Sequence, residues 1–115
     1  MLAATFAQQA GRVVAFSLAA FRQAFAAGRD LGAADNVLIA AAACELHPRA
    51  VLKAIESRSV RERLRLATAE AGARGVRAVP TLRLGKHLLA GERGVEEAAR
   101  VLEAEAQACA DQPLE

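Results

Sequence analysis

The chain has 115 residues, 54% of them apolar, and much of that fraction is alanine, so it is one domain or a piece of one. Fifteen basic against 13 acidic side chains leave a net charge of +2, which gives no ground for nucleic-acid binding. No signal peptide and no apolar run of bilayer length is visible, so the expectation is a soluble, cytoplasmic protein with no membrane partner.

Leu2 to Ala10 reads as a short helix, interrupted at Gly11. From Arg12 onward, Val14, Leu18, Phe21 and Phe25 recur at helical spacing as one apolar stripe. Gly28 then offers the left-handed residue that commonly stops a helix. Arg29 to Gly32 is a connection. Residues 33–46 form a second helical run built on Val37, Leu38, Ile39 and a block of alanines, which let neighbouring helices approach closely. His47-Pro48 breaks that run; proline suits the first position of a following helix, with His47 as its cap or as a surface residue. Val51, Leu52 and Ile55 give this helix a short apolar face ending near Ser57. Ser59-Val60-Arg61-Glu62 has the spacing of a capping box, so a long helix is expected from there to about Arg74, with Gly75 as its stop.

At that point the period changes. Val79 to Leu84 fits a strand entered through Pro80, Gly85-Lys86 a tight turn, and His87 to Ala90 a return strand. Gly91 and Gly94 flank a loop. A last helix runs from Val95 to about Cys109, with Glu96 and Glu97 in its first turn, where the macrodipole favours negative charge. Val95, Ala98, Val101 and Leu102 are its expected buried stripe. The fold class is therefore α+β and mostly helical, divided at 1–75 (helices) and 76–115 (hairpin plus C-terminal helix).

The segment ARGVRAVPTLRLGKHLLAGERGVEEAARVL resembles the C-terminal half of DsbA-like thioredoxin-fold proteins, a group that includes the FrnE-like oxidoreductases, the 2-hydroxychromene-2-carboxylate isomerases and the kappa-class glutathione transferases. Upstream, FSLAAFRQAFAAGRDLGAADNVL resembles that family's helical insertion. The resemblance covers roughly residues 11–104. It implies a partial thioredoxin-like fold: a helical insertion over 1–75, then a cis-proline β-hairpin and the C-terminal helix. It implies a cis Val79–Pro80 bond beside the place of an active-site thiol. Val79, Pro80 and Thr81 would then form the substrate groove, with the Val79 backbone pairing with a bound peptide or with the cysteinyl part of glutathione.

The sequence also departs from that family. The opening strand and its Cys-x-x-Cys helix are not seen. Cys44 and Cys109 have no second cysteine three residues away and match no metal or redox spacing. They read as two small buried or half-buried thiols, with a disulfide between them as the alternative. Ala78 stands where the family has glycine, Arg77 where an aromatic is common, and Leu89-Ala90-Gly91 where an aromatic segment follows the hairpin. Arg77 either favours an acidic partner or points into water.

Arg58, Arg61, Arg63 and Arg65 crowd the long helix, but Glu56, Glu62 and Glu70 lie among them and no aromatic residue does, which reads as a solvated face. His87 reads as an exposed or structural residue of the hairpin. No metal site and no catalytic residue is indicated.

The expected function is that of the C-terminal part of a DsbA-like thiol–disulfide oxidoreductase, keeping the proline groove but not the redox thiols. The alternatives are a glutathione-dependent isomerase or transferase relative, or a non-catalytic helical protein-interaction module. No cofactor is expected in this chain, and glutathione is possible in the parent family. The parent's partner would be a peptide or thiol substrate. A homo-oligomer is also expected, through an open strand edge or the Phe helix.

Overall fold

The computed structural model describes residues 1–114 and is mostly helical, with one two-stranded sheet. Its contacts divide the chain into two compact units, Met1–Thr68 and the part from Ala69 onward.

The first unit is built from four short helices and the start of a fifth. Helix α1 is Leu2–Gln9 and α2 is Val13–Phe21, the latter followed by a π-helical turn, Arg22–Ala26. Helix α3 is Ala34–Ala43, α4 is Pro48–Glu56 and α5 is Arg58–Ala73. Helix α1 packs on α2 and α4, and α3 also packs on α2 and α4. Ala3, Ala7, Ala40 and Ala41 line the contacts, with Phe16, Leu46 and Val51 as the larger buried side chains. Alanine leaves little volume between helices, so their backbones come close and few large side chains are needed to fill the core.

Several local signals act as expected. Gly11 and Gly28 adopt left-handed conformations at φ +71° and +65°. His47 caps α4 by accepting the Arg49 amide at Nδ1, 3.2 Å away, and Pro48 occupies the first turn.

The apolar stripe Val14, Leu18, Phe21 and Phe25 is exposed, and α2 buries Phe16, Ala19 and Ala20. VVAFSLAAF is apolar on every side, so periodicity could not select the inward face. The two alanines decide it by allowing close approach. Other expectations are corrected. In α4, Ala54 joins Val51 inside and Leu52 is exposed.

The Ser59–Glu62 capping box does not form. Helix α5 begins one residue earlier, at Arg58, and Ser57 precedes it with extended backbone. The Ser59 hydroxyl meets that of Ser57 at 2.8 Å, while Glu62 pairs with Arg65. A bidentate arginine competes better for the carboxylate than one backbone amide does.

In the second unit, β1 (Thr81–Leu84) and β2 (His87–Ala90) form an antiparallel hairpin in the register Thr81↔Ala90 to Leu84↔His87. Its turn is Gly85-Lys86, with Gly85 at φ +54°. Val79 and Pro80 precede the strand rather than opening it. Helix α6, Gly94–Ala110, packs on both strands through Gly94, Ala98 and half-buried Val101. Val95 and Leu102, expected inside, are exposed. Gly94 explains the shift. A Cβ there would stand 2.9 Å from the Leu89 carbonyl oxygen, so glycine lets the helix meet β2 along the Gly94–Ala98 line.

Candidate functional site

The proline segment begins where α5 ends. Gly75 turns the chain at φ +100°, and Val76 donates its amide back to the Ala71 carbonyl at 3.1 Å. Arg77 follows, and its guanidinium donates to the Gly72 carbonyl at 3.0 Å. That carbonyl also accepts the Gly75 amide at 3.1 Å, and a cation placed on the last carbonyls of a helix complements the dipole. Arg77 is thus fastened to the end of α5.

The Val79–Pro80 peptide bond is cis. Two hydrogen bonds hold the segment around it. The Thr81 hydroxyl donates to the Ala78 carbonyl at 2.6 Å, and the Gly91 amide donates to the Pro80 carbonyl at 3.0 Å. The second bond continues the hairpin ladder by one position. In an antiparallel pair the backbone groups of alternate residues face the partner strand. Pro80, Leu82 and Leu84 face β2, so the N–H and C=O groups of Thr81 and Arg83 lie on the outer edge of β1. Among the described residues that edge has no partner strand. The Val79 side chain is 89% exposed. Its N–H and C=O take no hydrogen bond among the described residues.

The three residues singled out in the sequence therefore lie together at one end of the hairpin. Val79 is open to solvent, Pro80 anchors to Gly91, and Thr81 locks the turn. The structure adds Gly91 and Ala78 as their holders. Gly91 carried a signal in the sequence as a loop glycine and sits at φ +84°; Ala78 carried none.

No thiol lies in this segment. Cys44 is buried at the end of α3, its sulfur contacting the Ala40 and Ala41 carbonyls at 3.5 and 3.3 Å. Cys109 lies in the last turn of α6. It is exposed, which corrects the expectation of a buried or half-buried thiol. Both are free, so no disulfide joins them. No group of three or more possible metal ligands gathers among the described residues. His87 is exposed on β2. In the arginine-rich helix, Arg65 grips the Glu62 carboxylate from Nε at 3.0 Å and Nη2 at 2.6 Å. That hydrogen-bonded pairing holds the Glu62 carboxyl below its ordinary value and raises Arg65. Among the described residues no helix is long and apolar enough to cross a membrane.

One concavity escaped the sequence reading. In the first unit, a cavity of about 340 Å³ lies between α1 and α2, lined by Phe16, Ala20, Phe21, Leu31 and Val37, with Ser17 at its wall. The only hint in the sequence was a helix apolar on all sides.

A mostly helical chain followed by a hairpin entered through a cis proline and closed by a final helix is part of a thioredoxin-like α+β fold. The model of the DSBA-like thioredoxin domain matches residues 1–103, and the chain belongs to that family. Comparison with curated proteins gives no match, and comparison with solved structures gives none.

Proposed function

We propose that this chain supplies the substrate-holding part of a DsbA-like thiol–disulfide oxidoreductase, with Val79, Pro80 and Thr81 forming the groove. The helical insertion spans 1–75 and the groove-bearing portion 76–115. One observation carries this reading: Val79 is exposed, its backbone N–H and C=O take no hydrogen bond among the described residues, and the segment is held from behind by Thr81 and Gly91. A fixed, unpaired backbone beside a strand edge is what an extended peptide or a cysteinyl group pairs with, as in strand addition. Neither cysteine of the chain lies in this segment, so the attacking thiolate is assigned to no residue here.

The test is an amide-resolved NMR titration of the whole chain. One probe is an extended peptide with a blocked cysteine, the other is reduced glutathione. Shifts centred on Val79 and Thr81 with the peptide support the oxidoreductase reading. Shifts there with glutathione alone place the chain with the glutathione-dependent isomerases and transferases instead. Shifts confined to residues 1–68, or none, overturn the groove assignment. In an insulin-reduction assay the chain alone is expected to stay at background.

A second reading, a helical protein-interaction module, is favoured by the exposed stripe Val14, Leu18, Phe21 and Phe25. It places binding on α2 rather than on the proline segment.

A further inference from the structure

Two helices of this chain each bury one face and leave a second apolar line open. On α2 the open line is Val14, Leu18 and Phe21, continued by Phe25 in the π turn, where the Phe21 and Phe25 rings lie 6.0 Å apart. The residues follow a 4-3-4 spacing, which keeps them on one side of a helix. Val14 is 72% and Phe25 84% exposed. On α6 the open line is Val95, Ala99, Leu102, Ala106 and Cys109, with spacing 4-3-4-3, and every member is exposed. It is separate from the Gly94–Ala98–Val101 line that meets the hairpin.

The charges beside these lines are opposite in sign. Residues 1–29 contain three arginines and no aspartate or glutamate. Arg12 is engaged by Glu45, and Arg29 donates to the Gln23 side-chain oxygen at 2.9 Å, while Arg22 stands one position after Phe21, beside the stripe. Helix α6 carries Glu96, Glu97, Glu103 and Glu105 against the single Arg100. Glu96 and Glu103 each stand one position after a member of the open line, the place Arg22 takes on α2. The shapes are also unequal. The α2 line is the bulkier, with two phenylalanines, a leucine and a valine, and the α6 line sets the small residues Ala99, Ala106 and Cys109 around Val95 and Leu102. Bulky residues on one helix fit against small ones on the other.

We propose that the exposed α2 line of one copy docks on the exposed α6 line of a second copy, with Arg22 facing Glu96 and Glu103. A second copy is the occupant that the opposite charges and unequal sizes of the two exposed lines support. Like-on-like pairing, α2 on α2 or α6 on α6, would set bulky against bulky or acid against acid. The contact is heterologous, joining two different surfaces.

Sedimentation equilibrium of the full chain tests this at low and high salt. The expected result is concentration-dependent association, weakened by salt because screened charges border the contact. Leu18→Glu breaks the α2 line and Leu102→Lys breaks the α6 line. Both sites are exposed, so circular dichroism should be unchanged. Each variant alone should associate more weakly by upward of about tenfold, as for loss of a central interface contact. Mixed together, they should form a one-to-one pair, because each retains the line that the other lacks. Overturning results are a monomeric wild type at high concentration, self-association that survives Leu102→Lys (α2 on α2), self-association that survives Leu18→Glu (α6 on α6), or a mixture that stays apart. Association untouched by both variants would move the contact to the outer edge of β1 and also overturn the proposal. These outcomes do not depend on ligand binding at Val79, so the groove assignment stands or falls separately.

Discussion

The Thr81 hydroxyl donates to the Ala78 carbonyl at 2.6 Å, closing a turn whose two middle residues are Val79 and Pro80. The bond joins the first residue of β1 to the last stretch of loop after α5. It holds the backbone of Val79 in place while leaving the Val79 side chain in water. A partly exposed hydroxyl bond of this kind contributes about 1 kcal/mol. Thr81→Val keeps the shape and removes the donor, so the unfolding free energy from urea curves should fall by no more than that amount, and peptide shifts at Val79 should weaken. Thr81→Ser keeps the donor and should restore both. If Thr81→Val and Thr81→Ser behave alike, the hydroxyl does not hold the turn.

Gly94 and Gly72 should respond in opposite directions to alanine. At Gly94 a methyl would press on the Leu89 carbonyl oxygen at 2.9 Å, which is backbone and cannot swing away. Gly94→Ala should therefore destabilise the chain by about 1–3 kcal/mol, the range for overpacking. At Gly72, inside α5, the new methyl meets nothing within 4 Å. Gly72→Ala should stabilise by about 0.5–1 kcal/mol through the lower entropy of the unfolded chain. Denaturant curves for the two variants decide the matter. A stabilising Gly94→Ala would mean that α6 does not meet β2 as described.

Val51 is the largest fully buried side chain of the first unit. Val51→Ala removes two methyl groups from among helices that already approach closely. A loss of about 2 kcal/mol is expected, combining transfer and cavity contributions. Leu52→Ala, at the exposed neighbouring position, should cost far less. Equal losses at the two sites would contradict the observed inward face of α4.

Glu62 provides the pH-dependent prediction. Its hydrogen bonds to Arg65 lower its folded-state value below the ordinary 4.5. A lowered carboxyl contributes stability that is complete above the ordinary value and is lost as pH falls through the lowered one. The difference in stability between the wild type and Glu62→Gln should be present at neutral pH and close at acid pH. Both side chains are exposed, so high salt should shrink it. A gap that widens on acidification would have the wrong sign.

Much of the local structure was legible in the sequence because its causes are local. His47-Pro48 starts a helix, Gly28 and Gly75 stop two others, and Gly85-Lys86 turns a hairpin, each through a preference carried by one or two residues. The candidate site was legible for the same reason: Pro80 between a helical run and an alternating run marks a change of period. The apparent capping box at Ser59 failed because a nearby arginine offered Glu62 a stronger partner.

The sequence by itself determined the order of elements, the break at Pro80 and, through the resemblance it carries, the DsbA-like family. Only the tertiary structure decided which faces turn inward. VVAFSLAAF and GVEEAARVL each offer more than one apolar line, and no periodicity ranks them. The choice fell to close approach: Ala19 and Ala20 let α2 meet its neighbours, and Gly94 lets α6 meet the Leu89 carbonyl. The bulkier lines of Val14, Leu18 and Phe21 and of Val95 and Leu102 were left in solvent, because a packed interior selects for contact distance as well as for hydrophobicity.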